Sequence, residues 1–525
     1  MPIYSLEIDG GINTEMGPSA GTRVKRTDGQ STVLSVPYLI NATNAVYAAD
    51  GWPRKMPGAS KVNASATGAT DSVTGIFDYW RSTTSGDPVQ RKVIVAGTAI
   101  YSEAGAGTLT SIKTGLEADK MPWFEVFNDD VIIATTSTTD VPMTWDQTTF
   151  ANLGGTPPNF AFHVSHKNYM FAAGVNANKS RLYYSATNDA EDWTGGSAGS
   201  IDVAPDDGDV ITGLHSRHNG ELLIFKGPNR LSFFRLTGSS ESDWTLTPGN
   251  TGIGAVNQQS IVSGPGSDVW FWDDNGIHSL VATDTFGDYK ETFLSKDIAT
   301  YFVDRLSHNR FAQVWGANFV GKGCALWTCS RSGSSTHNLI IGLDYRFSPP
   351  RFFFWDAYNV ASLGMVRDTS RLTIPWAGTY TGFVLRTNRE ARNVAGTAYT
   401  YKMTMPFLGY GDPFFDKKTT RQVVGFQPKG ATTFTLGITR DTHTQQTASL
   451  TQGGGPTLGP SSDQFTLDED ALGGGLYNHA FADLNSSFKQ LQIELSQGTV
   501  DVDCEPHGVS VIAEDEGLSY RVPEG

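Results

Sequence analysis

Short unbroken apolar runs, each followed by turn residues and then a second run rich in Leu, Phe or Val, recur along the middle of the chain. The clearest is Glu221 to Leu236, ELLIFKGPNRLSFFRL. Leu222 to Phe225 are apolar without a break, Lys226-Gly227-Pro228-Asn229 carry turn chemistry, and Leu231 to Leu236 resume as strand. An apolar run this short, bounded by a turn, fits a strand covered on both faces, as when sheets stack on one another. The same text recurs at 91 to 102, 130 to 145, 168 to 185, 268 to 282, 323 to 345 and 371 to 387, making seven hairpins.

Taking the second strand residue of each copy as a marker gives Lys92, Val131, Tyr169, Leu222, Val269, Cys324 and Leu372, with spacings of 39, 38, 53, 47, 55 and 48 residues. A four-stranded propeller blade takes roughly 40 to 50 residues, so each interval holds the hairpin and two further short strands. Val210 to Leu214 and Ser260 to Val262 read as such strands. The expected architecture is an all-β chain with a β-propeller of about seven blades, six or eight being the neighbouring solutions, over residues 71–395. A β-sandwich or parallel solenoid with accidental spacing is the competing reading. The propeller is favoured because a ring of small sheets buries both faces of its inner strands and leaves only short edges. One amphipathic helix interrupts the pattern, with Leu294, Ile298, Phe302 and Leu306 four apart behind an N-cap at Ser295.

Past residue 395 the rhythm changes to longer alternating strands. Leu491, Ile493 and Leu495, then Val500 and Val502, then Val509, Val511 and Ala513 place apolar side chains on one face, with Gln497-Gly498 and Pro506-His507-Gly508 as turns. Gln422 to Phe426 and Thr433 to Ile438 flank Pro428-Lys429-Gly430. Residues 396–525 therefore read as an antiparallel β-sandwich or half-barrel platform. Residues 1–70, with extended pieces at Val33 to Leu39 and Ala45 to Tyr47, are too loose to fold alone and are expected to supply its missing strands. His443 to Gln464, rich in Gly, Pro, Ser, Thr and Gln, reads as a long loop that lines or closes an opening.

Composition supports this plan: 57 Gly, 24 Pro and 11% aromatic residues against 18% charged suit many short strands joined by tight turns. The 39 Lys and Arg against 54 Asp and Glu leave a formal charge of −15. No basic run or basic-aromatic patch offers the counterion release on which sequence-independent nucleic-acid binding depends. Three cysteines, Cys324, Cys329 and Cys504, are too few for a disulfide framework. In one strand, Cys324 and Cys329 point to opposite faces, so all three are expected as reduced, packed thiols. The N-terminal text has no secretory-signal pattern, and no stretch of about 18 apolar residues marks a membrane span.

Candidate chemistry is sparse. Gly316 to Lys322, GANFVGK, meets part of a phosphate-loop pattern, but Gly323 stands where Ser or Thr should follow and a strand comes next instead of a helix. Ser185 to Trp193, with Asn188, Asp189 and Asp192, loosely matches the Ser/Asp/Trp turn of sialidase blades, and Asp206, Asp207 and Asp209 cluster nearby. A glycosidase needs two carboxyl groups facing one sugar, and sialidases add an arginine cluster that this text does not assemble. Solvated blade turns are the expectation, with a cation on the acidic triplet as the alternative. His163 and His166 lack a third ligand at metal spacing and read as turn histidines. No nucleophile elbow or His-Glu-x-x-His pair occurs. The chain is read as a non-enzyme with no catalytic residue, cofactor or metal site.

GGINTEMGPS, from Gly10, followed by SVPYLINATNAVYAADGWPRKMPGA, resembles the opening of tail nozzle proteins of short-tailed bacteriophages, also called head-tail stabilisation or tail tubular proteins. Gly10-Gly11-Ile12-Asn13, Asn41 to Asn44, Asp50-Gly51 and Arg54-Lys55-Met56-Pro57-Gly58 stand in that family's order. The text from Leu182 through DGDVITGLHSRHNGELLIFKGPNRLSFF to WFWDDNGIHSL is similar to its propeller. The resemblance covers much of 10–70 and 182–280. It implies a propeller with a β platform built from both chain ends and, in the virion, a ring of six copies continuing the DNA channel below a portal-adaptor. Such a ring would retain and then release DNA that it does not hold tightly, and would carry tail fibres or tailspikes. The protein would be made in the host cytoplasm, without inserting into a membrane. The alternative is a propeller that binds or hydrolyses glycans in the manner of a sialidase; a cellular propeller scaffold is the third.

Overall fold

The computed structural model describes residues 3–517 except 21–22, 29–30, 83–85, 218, 284–287, 389–390, 411–414, 427–431, 442 and 453–477. The chain divides into two compact units, Lys61–Ile341 with Tyr358–Thr387, and Met1–Ser60 with Gly342–Ala357 and Asn388–Gly525. The divisions fall at 60/61 and 387/388, where the sequence placed them at 70/71 and 395/396. Residues 342–357, expected within the repeats, belong with the chain ends because Phe354 pairs with Thr43.

In the repeat unit, the middle strand of each sheet has two apolar faces, and each face meets a different core. Leu222 and Ile224 point into a cluster with Phe171 and Tyr169, while Leu223 and Phe225 point into another with Val269 and Phe271. Val131 and Ile133 likewise face Val93 and Val95, whereas Ile132 and Ala134 face Met170 and Ala172. The period-2 geometry of a strand sends neighbours to opposite sides. An unbroken apolar run is therefore the text of a strand packed between two sheets.

Five four-stranded antiparallel sheets begin with Val73–Arg81, Pro122–Phe127, Phe162–His166, Val210–Ser216 and Val262–Ser263, each followed by three strands in order. A sixth contains Val360–Arg367, Thr373–Thr379 and Val384–Asn388 and is completed by the strand ending at Lys61. Val73, Ile76 and Ile94 of the first sheet share a core with Val366, Trp376 and Val384 of the last. Val62 N–H donates to Val384 O at 2.8 Å, and Asn63 Oδ1 accepts from Val384 N at 2.8 Å, so the start of the unit clasps its end. Stacked sheets in a closed circuit are a β-propeller arrangement, here with six four-stranded blades. The hairpin expected at 323–345 is present, Cys324–Cys329 lying beside Leu339–Asp344, but within a longer sheet in which Gly316–Phe319 pairs with Cys324–Cys329 and packs between the strands at 262–263 and 360–367.

Local readings change in three places here. Lys226 is the fifth residue of strand Leu222–Gly227 and not part of the turn. The helix is a 3-10 turn, Leu294–Ile298, leading into the α-helix Ala299–Arg305. Ile298, Phe302 and Leu306 are buried as their spacing requires, but Ser295 caps nothing: its hydroxyl accepts from Ile277 N–H at 2.8 Å.

The other unit joins the chain ends by strand pairing. Ile3–Ile8 lies between Ser31–Val36, parallel to it, and Pro506–Gly517, antiparallel. Asp416–Phe426 and Asn478–Ala482 continue that sheet. In a second set of pairings, Gln490–Gln497 is flanked by Tyr401–Thr404 and Phe407–Gly409 on one side and Thr432–Arg440 on the other, with Asn41–Thr43 beyond Tyr401–Thr404. The alternation at Leu491, Ile493 and Leu495 and at Val509, Val511 and Ala513 is buried as read. Val500 and Val502 form no strand, since Asp501 takes a left-handed φ of 53° and Val500 is exposed. Pro506-His507-Gly508 opens a strand instead of turning. Gln422–Phe426 and Thr433–Ile438 do not pair with each other but belong to different sheets. Within the expected loop from His443, Gln446–Gln452 is a strand on Thr432–Arg440, with Leu450 buried and Thr447, Ser449 and Thr451 on the open face; residues 453–464 lie outside the described residues.

Because Ile224 is fully buried between two sheets, Ile224→Ala should cost about 2–5 kcal/mol in chemical denaturation of the purified protein. A loss below about 1 kcal/mol would mean that the strand is not sandwiched.

Candidate functional site

The acidic triplet beside the best hairpin is used internally. The Lys226 ammonium, with no exposed surface, donates to Val203 O at 2.7 Å, Ala204 O at 2.8 Å and the Asp207 carboxylate at 2.7 and 2.8 Å. Asp209 accepts from Asn229 N–H at 2.7 Å and Arg230 N–H at 2.9 Å, tying down the hairpin turn. Asp207 and Asp209 thus satisfy a buried cation and two backbone donors, and Asp206 stands apart from both contacts. Among the described residues no group of three His, Cys, Asp or Glu side chains is placed to hold a metal ion.

The remaining sequence candidates are not brought together. His163 lies within a core, its Nε2 3.2 Å from Ile132 O, and burial pushes its pKa down to about 3. His166 is three residues on, with Nδ1 2.8 Å from Ser216 Oγ, and is held down at about 4, again by burial. The turn at 185–193 closes on itself: Asp189 accepts from Glu191 N–H, Asp192 from Thr194 and Gly195 N–H, and Trp193 donates to Ala190 O. Gly316 to Lys322 is a strand and a 3-10 turn running into Cys324–Cys329, so no helix N-terminus faces a phosphate. Cys324, Cys329 and Cys504 are free and buried, and burial raises the thiol pKa of Cys329 and Cys504. No described helix is long and apolar enough to cross a membrane.

One polar contact crosses the ring of blades. Gln259, buried at the entrance to the fifth sheet, donates from Nε2 to Pro122 O of the second sheet at 3.1 Å, with the third and fourth sheets between them in the circuit. The adjacent Gln258 pairs its amide with Leu214, accepting from N–H at 2.6 Å and donating to O at 2.9 Å. The axis of the ring is bridged at this level. Neither glutamine stood out in the sequence, because nothing local marks a side chain that reaches across a ring.

In the chain-end unit, the residues Gly10 to Gly58 act as a set of close-approach points. A Cβ on Gly10 would lie 1.9 Å from Pro37 O, one on Gly11 2.8 Å from Arg351 Cβ, and one on Gly58 2.1 Å from Asn393 O. Asn44, at φ 51°, accepts from Asp356 N–H and donates to Thr400 O, so one side chain ties three segments. Lys55 is buried and donates to Gln497 Oε1 at 2.7 Å and to Thr499 O and Val502 O at 3.0 Å each, with its ammonium 4.8 Å above the Tyr399 ring. Burial lowers its pKa to about 8. Val500 and Val502, read as strand, lie instead in a segment that bends around this ammonium.

The fold defines an all-β propeller protein whose candidate catalytic residues are engaged in structural contacts. No protein-family model matches the chain, and no curated protein matches it in sequence. Among solved structures it is similar to virginiamycin B lyase from Staphylococcus aureus, with 13% identity and a TM-score of 0.39 over 61% of this chain and 97% of that one. It is also similar to YCF48 bound to D1 peptide, with 11% identity and a TM-score of 0.39 over 65% and 97%. The N-terminal domain of Nup159 gives 10% and 0.33 over 62% and 97%. Likenesses at this level carry no argument about activity.

Two measurements check the site. Lys226→Met strands Asp207 and two buried carbonyls and should destabilise the protein by about 3–5 kcal/mol, whereas an unchanged denaturation midpoint would show the ammonium is not buried in this pair. The His163 pKa is lower folded than the ordinary value of 6.5, so the unfolded chain binds more protons between those values, and stability is complete above pH 6.5 and falls toward pH 3. His163→Gln should flatten the acid limb of stability against pH by up to about 1.4 kcal/mol per unit; an unaltered slope would overturn the assignment.

Proposed function

We propose that this chain is a structural protein of a short-tailed phage virion, forming the tail nozzle as a ring of copies, with the hexamer as the expected state. The observation that carries the reading is the placement of the family-like text: Asn44, Lys55 and Gly58 meet Thr400, Gln497 and Asn393 of the C-terminal part, while Gly10, Gly11 and Gly51 lie against Pro37 and Arg351. Gly10, Gly11 and Gly58 admit no Cβ, and Asn44 and Lys55 each tie several segments. Text that resembles the family is thus the text that a platform made from both ends requires. We read its two sets of strand pairings as the two layers of a β-sandwich. The pair Gly316–Phe319 and Cys324–Cys329, set between the fifth and last sheets, we read as the core of a seventh blade.

In this reading the propeller is not itself the conduit, since Gln259 bridges its axis. DNA passes through an opening formed by several copies, and heterologous contacts must close into a ring to avoid growing indefinitely. The formal charge of −15 suits a channel that lets a polyanion slide without holding it. The portal-adaptor and the fibres or tailspikes are the remaining partners, and the reading assigns no enzymatic step.

Negative-stain electron microscopy and native mass spectrometry of the purified protein, with immunolabelling of virions, test this. Closed rings of about six copies with an acidic lumen, and label at the tail tip, are expected. Monomers at all concentrations together with unlabelled tails, or a ring with a basic lumen, would end it.

A further inference from the structure

Of the five large apolar side chains that stand exposed among the described residues of the repeat unit, three lie together: Val320 at 72%, Leu372 at 42% and Trp80 at 37%. They stand at the ends of Gly316–Phe319, Val360–Arg367 and Val73–Arg81, strands that pack side by side. The turn Val320–Lys322 lies against the start of Thr373–Thr379, where a Cβ on Gly321 would be 3.9 Å from Thr373 O. Thr373 pairs across its hairpin with Arg367, whose guanidinium carbon is 5.9 Å from the centre of the Trp80 ring. Single apolar side chains on a surface mean little, but a contiguous patch marks an interaction site.

Polar groups around the patch are spent on holding it in shape. Asp78 accepts from Trp80 Nε1 at 3.0 Å, from Arg367 N–H at 2.9 Å and from Gln90 Nε2 at 2.6 Å, so the indole has its partner and offers only its apolar faces. At the neighbouring hairpin tip, Leu372 N–H donates to Asp368 Oδ1 at 2.9 Å and Arg371 N–H to Asp368 O at 3.0 Å, with Arg371 at a left-handed φ of 62°. The tip is thereby fixed with Arg371 and Leu372 both exposed. An exposed Trp beside Arg on a rigid frame is the composition enriched in interface hot spots.

Charge decides what the patch can meet. Neither Arg367 nor Arg371 has a carboxylate partner among the described residues. Two such patches set face to face would oppose their arginines, which disfavours pairing about a two-fold axis. The patch asks instead for a surface rich in carboxylates, and a chain with 54 Asp and Glu against 39 Lys and Arg presents one on a second copy of itself.

We propose that this patch is one half of a head-to-tail contact between neighbouring copies of the chain, seated on an acidic surface of the next copy. A contact of this kind closes into a ring or grows without end. The inference rests on the ring reading above and names one of its contact faces. Native mass spectrometry and mass photometry of the full chain over a concentration series test it. Val320→Asp combined with Leu372→Asp should raise the concentration at which rings half-assemble by about tenfold or more, with unchanged thermal unfolding. Arg371→Glu, which keeps every apolar side chain, should raise it by a smaller factor, and Val303→Asp, at an exposed apolar side chain outside the patch, should leave it alone. Wild-type chains that stay monomeric throughout would remove the ring reading and this contact with it. Wild-type rings whose assembly the double variant and Arg371→Glu leave unaltered would overturn this contact alone, as would two-fold dimers that the double variant dissolves.

Discussion

Burial of both faces of each middle strand is the constraint on which the repeat unit depends. A lone four-stranded sheet with Leu222 to Phe225 at its centre would expose two apolar faces to water, at about 25 cal/mol for each Å2 left uncovered. A second sheet solves this for one face and passes the problem on. Only a closed circuit ends it, and the circuit here closes where Val73 and Ile76 meet Val366 and Trp376 and where Asn63 clasps Val384. The order of the blades therefore follows from a local alternation repeated along the chain.

The polar groups answer a different demand. Tight stacking leaves carbonyls at sheet margins without strand partners, and two lysines collect them: Lys226 takes those of Val203 and Ala204, and Lys55 those of Thr499 and Val502. A buried ammonium has three donors and is costly unless all are used. Each of these is surrounded by enough oxygen to use them. Asp207 and Asp209, which look like chemistry in the sequence, complete this structural satisfaction.

Much of the fold was legible in the text because strand alternation is local. The hairpins at 91, 130, 168, 221 and 268, the buried faces at Leu491 to Leu495 and Val509 to Ala513, and the burial of Ile298 and Phe302 all follow from spacing along a few residues. Misreadings fell where a distant partner decides conformation. Ser295 looks like a cap but serves Ile277; Val500 and Val502 look like strand but bend around Lys55; Gln446 to Gln452 look like loop but find Thr432 to Arg440.

The sequence by itself determined the strand class, the repeat and the absence of a recognisable catalytic motif, since side-chain period, turn residues and composition act over short range. Only the tertiary structure decided that Gln259 bridges the ring, that Lys226 is a buried tie, and that Gly10 and Gly58 are points of closest approach. Each of these depends on segments far apart in the chain whose distance in space is set by how the sheets stack, and no spacing along the chain encodes that distance.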